Sequence, residues 1–251
     1  MRSFCLSLSY LQLLAQFITV FKEVIITFSH FTHTDLIEMP SRYRARFINS
    51  LSGFKSANLI GSQDKEGHTN LAIFSSVVHL GASPALVGFV MRPDNNARHT
   101  LDNIIATKHY TINQVASSFY QEAHQSSANY PKDESEFLHA NLSTSYIEGI
   151  NAPFVKESQL KYAVTLKEIM PIPLNGTQFI IGEVTDIICQ ESAIKPDGYI
   201  DIEALATVCI SGLDSYHQSR RLTRLSFASA TSKTSSIALD GSVLTITENN
   251  Y

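Results

Sequence analysis

Two arginines and a threonine lie close together in the segment MRPDNNARHT (91–100). The planar guanidinium group of arginine donates two parallel hydrogen bonds to phosphate oxygens, so Arg92 and Arg98 are candidates for a phosphate clamp. Thr100 lies at the start of a predicted helix, where its hydroxyl and the free backbone N–H groups can bind the same anion. The alternative is that both arginines are solvated loop residues and that Thr100 only caps the helix.

The segment NLAIFSS (70–76), which precedes this loop, has the composition of a strand. Its small and hydroxyl side chains would let a flat ring lie against the backbone, whose N–H and C=O groups can hydrogen-bond the edge of a pyrimidine. A ring site and a phosphate site on neighbouring segments suit an elongated ligand with an anionic end, and a flavin has this form. The alternative is an ordinary strand of a sheet.

Other catalytic signatures are absent from the sequence. It contains no glycine-rich nucleotide-binding motif, no G-x-S-x-G and no H-E-x-x-H. Ser75 and Ser76 are possible nucleophiles, but no motif supplies an oriented base. The histidines are scattered, and only His30 and His33 have a spacing that metal ligands use. We therefore expect no metal site, and the sequence singles out no catalytic side chain.

The composition limits the class of protein. Only 17% of the 251 residues are charged, and the net charge is −4 without any run of Lys or Arg. A nucleic-acid partner is therefore not expected. The three cysteines, Cys5, Cys189 and Cys209, are far apart and odd in number, which favours reduced thiols and a cytoplasmic location.

The apolar residues 4–29 raise the question of a leader or a membrane anchor. Polar residues such as Lys22 and Glu23 interrupt the run, so no uncharged stretch of about 18–20 residues is left to span a membrane. No small-x-small cleavage site follows the run. The interpretations left open are a poorly ordered extension, which an upstream start codon would explain, a peripheral helix and a secretion signal.

Local patterns predict many short strands with a few helices between them. Thr34 and the acids after it predict a helix start, and Gly53 ends the next helix. Strands and helices do not alternate regularly, so we predict an antiparallel barrel rather than a doubly wound parallel sheet. The other predicted helices are 101–107, 117–127 with Ser117 as its cap, and 132–139; the predicted strands are 57–62, 69–75, 76–80, 85–91, 110–115, 157–172, 178–189, 199–202, 206–210 and, in the tail, 242–247.

Four motifs in the same order resemble those of the flavin reductase-like, FMN-binding split-barrel family. The resemblance spans about residues 45–227, and short matches at Ser-Glu-Phe (135–137) and Gly-Glu-Val (182–184) add to it. The four motifs are NLAIFSS (70–76), GASPALVGFVMRP (81–93), ARHTLDNI (97–104) and YTIN (110–113).

The resemblance implies a mainly β fold with inserted helices, an antiparallel split β-barrel of the FMN-binding type. The domain would cover 34–228, with an N-terminal extension at 1–33 that is poorly ordered or a peripheral helix. The residues 229–251 would form a C-terminal tail that is poorly ordered or an edge strand. Family members are typically homodimers with FMN near the subunit interface, and the insert 117–157 would cover the site from either subunit.

The resemblance also assigns a cofactor site. The strand residues would line the isoalloxazine ring and ribityl chain, the loop and helix residues would hold the 5′-phosphate, and Tyr216 (with His217 as its neighbour) would be the aromatic residue near the flavin. His99 stands where the family often has Asp, which would place a pH-sensitive group beside the phosphate, and Ile73 stands where it often has Pro. The site residues implied are Asn70, Ala72, Ile73, Phe74, Ser75 and Ser76 on the strand, Arg92, Arg98, His99, Thr100 and Asn103 around the phosphate, and Tyr216.

The function implied is that of an FMN-dependent oxidoreductase, with FAD as the alternative flavin. NAD(P)H would deliver hydride to flavin N5, and the electrons would pass to oxygen, a partner oxygenase or another acceptor. A non-catalytic flavin-binding or electron-carrier protein is the alternative. A split barrel that holds pyridoxal phosphate or haem is a third possibility, although the sequence singles out no axial histidine.

Overall fold

A computed structural model describes residues 26–93 and 99–244 of the chain. The chain divides into two compact units, Met1–Arg44 and Ala45–Tyr251. The domain limits expected at residues 33/34 and 228/229 stay predictions. None of the helices among the described residues is long and apolar enough to cross a membrane.

The N-cap of the first helix, α1 (His33–Glu38), lies two residues before the predicted cap, Thr34. The hydroxyl of Thr32 accepts the N–H of Asp35 at 3.3 Å, and the Asp35 carboxylate accepts the N–H of Thr32 at 2.6 Å. This reciprocal capping box makes Thr32 the N-cap, and the prediction of Thr34 was wrong because the acid that returns the bond lies three residues after Thr32.

Helix α2 (Ser41–Ser50) ends one turn before Gly53. The φ angle of Gly53 is 67°, in the left-handed region where a residue without Cβ is not strained. The predicted end of this helix is therefore confirmed to within a turn.

The elements of the second unit are mostly strands. After α2 they follow in this order: β1 (Lys55–Ser56), β2 (Asn58–Gln63), β3 (Thr69–Phe74), β4 (Val78–Ala82), β5 (Ala85–Met91), α3 (His99–Thr107), β6 (His109–Gln114), α4 (Tyr120–Gln125), α5 (Glu136–His139), β7 (Thr144–Ser145), β8 (Phe154–Val155), β9 (Leu160–Ile172), β10 (Thr177–Cys189), a 3-10 turn (Glu191–Ala193), β11 (Val208–Ser211), β12 (Ser215–Gln218), β13 (Arg224–Leu225) and β14 (Ser236–Ile237).

Seven strands form the main sheet, in the order β3-β2-β6-β9-β10-β5-β4, and each pair of neighbours is antiparallel. The strands β1, β11 and β12 form a second, three-stranded sheet. The segment after β3 returns to β5, because the hydroxyl of Ser76 accepts the N–H of Val90 at 3.1 Å and lies 3.3 Å from the Val90 carbonyl. The predicted antiparallel, mainly β architecture is confirmed.

The two larger clusters of buried side chains pack on the strands of this sheet. Successive side chains of a strand point to opposite faces. On β2, Leu59 therefore joins the first cluster and Ile60 the second, and on β3, Ile73 packs against the first and Phe74 against the second. Helix α3 packs on the second cluster through Leu101 and Ile104, which places the beginning of α3 beside β2 and β3.

The glycine of the Gly-Glu-Val motif has a packing role. A side chain at Gly182 would collide with Val164 and with the hydroxyl of Tyr110. Tyr110 is fully buried in the second cluster, so the close approach of β10 to β9 and β6 requires a residue without Cβ here.

Two local predictions were wrong, and one strand was not predicted. Helix α4 follows Phe119 and has no side-chain cap, while the N–H of Ser117 bonds the Ala206 carbonyl instead. The predicted strand 199–202 is only an isolated bridge at Ile200, and β12, whose sequence SYHQ lacks a strand pattern, was not predicted. Strand β12 forms because it pairs with β11 in a tight hairpin, which the propensity of its own residues does not report.

The C-terminal tail is partly structured as far as it is described. Strand β13 pairs with β14, and Val243 bridges to Ile237. The guanidinium of Arg224 donates to the carboxylate of Asp197 and to the carbonyl of Leu239, each at 2.6 Å. The predicted strand 242–247 extends beyond the described residues.

Candidate functional site

A buried polar network joins β2, β3 and the first turn of α3. The side-chain amide of Asn70 donates to the hydroxyl of Thr100 at 2.8 Å and lies 3.5 Å from the hydroxyl of Ser62. The amide of Asn103 donates to the same Ser62 hydroxyl at 3.3 Å. All four side chains are buried. Three of them were predicted site residues, and the structure brings these three together.

Ser62 is a member of this network that the sequence analysis missed. It lies directly opposite Asn70 in the β2–β3 register. The predicted hairpin carried this information, since residues paired across two antiparallel strands point to the same face. Pairing the two predicted strands through their turn would have found it.

The network leaves the hydroxyl proton of Thr100 available. Thr100 accepts the N–H of Asn70, and the described residues offer its O–H no acceptor. The first N–H groups of a helix lack intrahelical partners and carry partial positive charge. Helix α3 has nine residues, so its first turn offers hydrogen-bond donors and a favourable field to an anion.

A carboxyl group lies close to this helix start. Glu136 of α5 is buried, and its carboxylate accepts the N–H of Leu71 on β3 at 2.9 Å. Burial raises the pKa of Glu136, while that hydrogen bond and the nearby imidazoles of His99 and His139 act in the opposite direction. His99 is half-buried at the start of α3 and lies within electrostatic reach of Glu136.

The structure describes one of the two arginines of the predicted clamp, Arg92. Arg98 lies outside the described residues. Arg92 is exposed after β5, and no described carboxylate pairs with it. Burial, and then the charge of Arg92, lowers the pKa of Lys55, so these two cations are neighbours. The ammonium group of Lys55 donates to the carbonyls of Asn49 at 3.0 Å and Gly212 at 2.8 Å.

Strand β3 forms one end of the seven-stranded sheet, so one of its edges is not covered by another strand. The N–H of Leu71 points to this edge, because it bonds Glu136 rather than β2. The pattern of antiparallel pairing alternates along the strand, so the N–H and C=O groups of Ile73 point to the same edge. The backbone of Ile73 therefore offers hydrogen-bonding groups beside the network of Asn70 and Thr100.

The side chains of the segment 72–76 differ in their surroundings. All five are half-buried. The ring of Phe74 packs edge-on against Phe89 with 5.0 Å between the centroids. The Ser76 hydroxyl is hydrogen-bonded to the backbone of Val90. Ala72 and Ser75 have the small side chains of this segment, and the Ser75 hydroxyl makes no hydrogen bond to a described residue.

Tyr216 lies on β12 and packs against the first cluster, as Ile73 and Tyr120 do. Its hydroxyl lies 3.0 Å from Nδ1 of His124. Burial, and then the charge of Asp214, raises the pKa of Tyr216 to about 12, so the phenol is protonated at neutral pH.

The side chain of the neighbouring His217 contacts other residues. Its Nε2 lies 2.8 Å from the Ser211 hydroxyl, and its ring packs on Phe54 with 4.9 Å between the centroids.

The loop between β2 and β3 carries a second group of potential ligands. One ligand atom each of Asp64, Glu66 and His68 lies within 4.8 Å of the others. The Asp64 carboxylate already accepts the backbone N–H groups of Glu66 at 3.0 Å and His68 at 2.9 Å. It also contacts the ring of His68 at 3.0 Å and the Lys132 ammonium at 3.3 Å. These bonds give Asp64 a structural role, since they stabilise the conformation of the loop.

Comparisons with known proteins agree with this architecture. Residues 52–204, more than half of the chain, match the flavin reductase like domain. The chain is 52% identical to a Shewanella frigidimarina protein assigned as a flavin reductase with a split-barrel domain, with a TM-score of 0.78 and coverage of 80% of this chain and 100% of that one.

Two more distant structures share the fold. Component B of nitrilotriacetate monooxygenase from Bacillus cereus is 20% identical, with a TM-score of 0.70 and coverage of 80% of this chain and 100% of that chain. The NADH:FAD oxidoreductase of Streptomyces globisporus is 11% identical, with a TM-score of 0.58 and coverage of 76% and 98%.

The domain match includes β2, β3, α3 and the polar network between them, and the structural matches confirm the split β-barrel. This chain belongs to the flavin reductase-like family.

Proposed function

We propose that this protein binds FMN and acts as a flavin reductase that takes its electrons from NAD(P)H. The observation that carries the proposal is the bond between Asn70 and Thr100, because it places a strand edge that no other strand covers directly beside the N-terminus of a helix. A flavin mononucleotide has a pyrimidine edge at one end and a phosphate at the other, and these two features suit its two ends.

The residues fit the phosphate end of FMN in charge and in hydrogen bonding. The O–H of Thr100, which has no acceptor among the described residues, and the first N–H groups of α3 would donate to phosphate oxygens. Asn103 and Ser62 lie behind Thr100 and would hold this turn in place. Arg98 and Arg92 would add charge-assisted bonds from the loop that precedes α3.

The residues of β3 fit the ring end. The backbone of Ile73 would bond the pyrimidine edge, and Ala72 and Ser75 would leave room for the ring and the ribityl chain. Ile73 and Phe74 are anchored in opposite clusters, so the strand is a rigid support.

When bound, the flavin accepts a hydride from reduced nicotinamide and passes the two electrons on to an acceptor. The protein's part is to orient the ring and to leave one face open, because hydride transfer requires the donor within about 3–3.5 Å. No acid or base is required of the side chains, which agrees with the absence of catalytic motifs. The Streptomyces globisporus relative, an NADH:FAD oxidoreductase, supports a nicotinamide donor, with FAD as the alternative flavin.

The acceptor and the assembly belong to the same proposal. The likeness to a monooxygenase component supports an oxygenase partner that receives reduced flavin, with oxygen or another acceptor as alternatives. A homodimer in the cytoplasm is the assembly and location that the family resemblance and the cysteine content support.

The first experiment is an absorption spectrum of the purified protein, followed by stopped-flow reduction. Absorption peaks at about 370 and 450 nm, as for any oxidised flavin, are expected. Both peaks should bleach when NADH or NADPH is added without oxygen. A flavin spectrum without bleaching by either donor would identify an electron carrier instead. A haem or pyridoxal phosphate spectrum would overturn the proposal.

A further inference from the structure

The ring of Tyr216 is held by two neighbours on α4. Its centroid lies 5.4 Å from that of Tyr120 and 5.6 Å from that of His124, with interplanar angles of 51° and 86°. The hydroxyl of Tyr216 is also 3.0 Å from Nδ1 of His124. The two partners of this bond are 92 residues apart in the sequence, so the contact joins β12 to the helical insert.

This aromatic group (Tyr120, His124 and Tyr216) is connected to the strand of the proposed ring site, because helix α4, which carries Tyr120 and His124, contacts β3. Tyr120 and Tyr216 pack against the first cluster, and so does Ile73, whose backbone faces the edge of β3 that no other strand covers. The aromatic group and the strand edge thus share one support, although they come from three distant segments of the chain.

The hydrogen bond to His124 persists in either protonation state of the imidazole. The phenol donates to Nδ1 of a neutral imidazole, and a protonated imidazole donates to the phenol oxygen. A tyrosine ring held by both a hydrogen bond and two aromatic contacts loses little conformational entropy when a planar ligand stacks beside it.

We propose that His124 is a positioning residue that holds Tyr216 as the second wall of the flavin ring site. The ligand is a planar conjugated ring, the isoalloxazine, so the inference rests on the proposed function. His124 itself touches only Tyr216 in this role, and Tyr216 touches the ring.

Fluorescence of bound FMN tests this without any turnover. A tyrosine in contact with an isoalloxazine quenches its emission by electron transfer, and phenylalanine does so far less. FMN bound to the natural protein should be quenched, and Tyr216→Phe should restore emission. His124→Leu should restore it in part and weaken FMN by about three- to tenfold, the loss of one hydrogen bond.

Two further variants separate positioning from general damage. Asparagine places an amide close to the position of Nδ1, so His124→Asn should return the quenching. The double variant Tyr216→Phe/His124→Leu should bind FMN no more weakly than Tyr216→Phe alone, because each change removes the same hydrogen bond. His79→Leu, an exposed histidine of β4, is the matched control and should change nothing.

The outcomes distinguish the two proposals. Absence of FMN binding by the natural protein would overturn the proposed function. Binding with quenching that Tyr216→Phe removes but His124→Leu leaves intact would overturn the role of His124 alone. Additive losses of affinity in the double variant would also contradict it.

Discussion

The side-chain amide of Asn70 donates a 2.8 Å hydrogen bond to the hydroxyl of Thr100, thirty positions later in the chain. Both groups are buried, and Ser62 and Asn103 complete the network around them. This bond fixes the distance between the strand edge that we assign to the flavin ring and the helix start that we assign to its phosphate. The first prediction for mutants tests this relationship.

Replacing Asn70 should weaken cofactor binding as well as the fold. Asn70→Ala leaves the Thr100 and Ser62 hydroxyls with a lost partner, and we expect unfolding to become about 1–3 kcal/mol easier. FMN affinity should fall by about three- to tenfold, because Thr100 is no longer held in place. Urea unfolding and a fluorescence titration measure the two effects, and Asn151→Ala, at an exposed asparagine, is the control. Unchanged FMN affinity with lower stability would reduce the network to a structural role.

The two arginines near α3 should contribute unequally to phosphate binding. Arg98→Ala should weaken FMN by about 1.5–3 kcal/mol through loss of a charge-assisted contact. Arg92→Ala should have a smaller effect, because Arg92 is exposed and has Lys55 as its neighbour. Titration of FMN against riboflavin, which lacks the phosphate, measures the difference for each variant. An effect of Arg92→Ala alone would move the clamp to that residue.

Glu136 should lower the free energy of unfolding as the pH rises, because it is a buried acid. Burial raises its pKa in the folded state above the ordinary value near 4.3, to which the unfolded chain returns. The cost of the buried charge is therefore absent below about pH 4 and grows as the pH rises through the folded pKa. Glu136→Gln removes the charge and keeps an acceptor for the Leu71 N–H, so it should be at least as stable as the natural protein at neutral pH.

The comparison variants for Glu136 are Glu136→Ala and Glu168→Gln. Alanine removes the acceptor, and we expect about 1–3 kcal/mol of destabilisation. Glu168 is exposed, so its replacement should produce no pH-dependent difference. Unfolding by urea at several pH values is the measurement. A Glu136→Gln protein that is markedly less stable at neutral pH would show that the ionised carboxylate is required.

Asp64 should show the opposite pH dependence. Burial raises the pKa of its carboxyl, but hydrogen bonds from the side chain and backbone of His68 and from Lys132 outweigh it and hold the pKa well below its ordinary range. The stabilisation is present above the unfolded pKa near 3.9 and is lost as the pH falls through the folded value.

Asp64→Asn should therefore cost about 1.5–3 kcal/mol of stability at neutral pH. The difference from the natural protein should shrink below about pH 4, where the unfolded chain takes up its proton. Urea unfolding across this range measures it. A constant difference at every pH would mean that only the backbone contacts of the loop matter.

The local elements were largely predictable from the residues. The long strands β9 and β10 follow from period-two alternation, and the turn after α2 follows from Gly53. The cap of α1 was missed because Thr32 and Thr34 both have suitable side chains, and only the return bond from Asp35 selects Thr32. Strand β12 was missed because its residues SYHQ become a strand only by pairing with β11.

The candidate site divides in the same way. By themselves, the residue types and their order indicated a ring-binding strand, an anion-binding helix start and the family that combines them. Tertiary structure alone decided that Asn70 reaches Thr100 and that His124 meets Tyr216. The physical reason is that short-range propensity depends on neighbours in the chain, whereas these contacts depend on strand register and on how the insert packs, which many distant residues determine together.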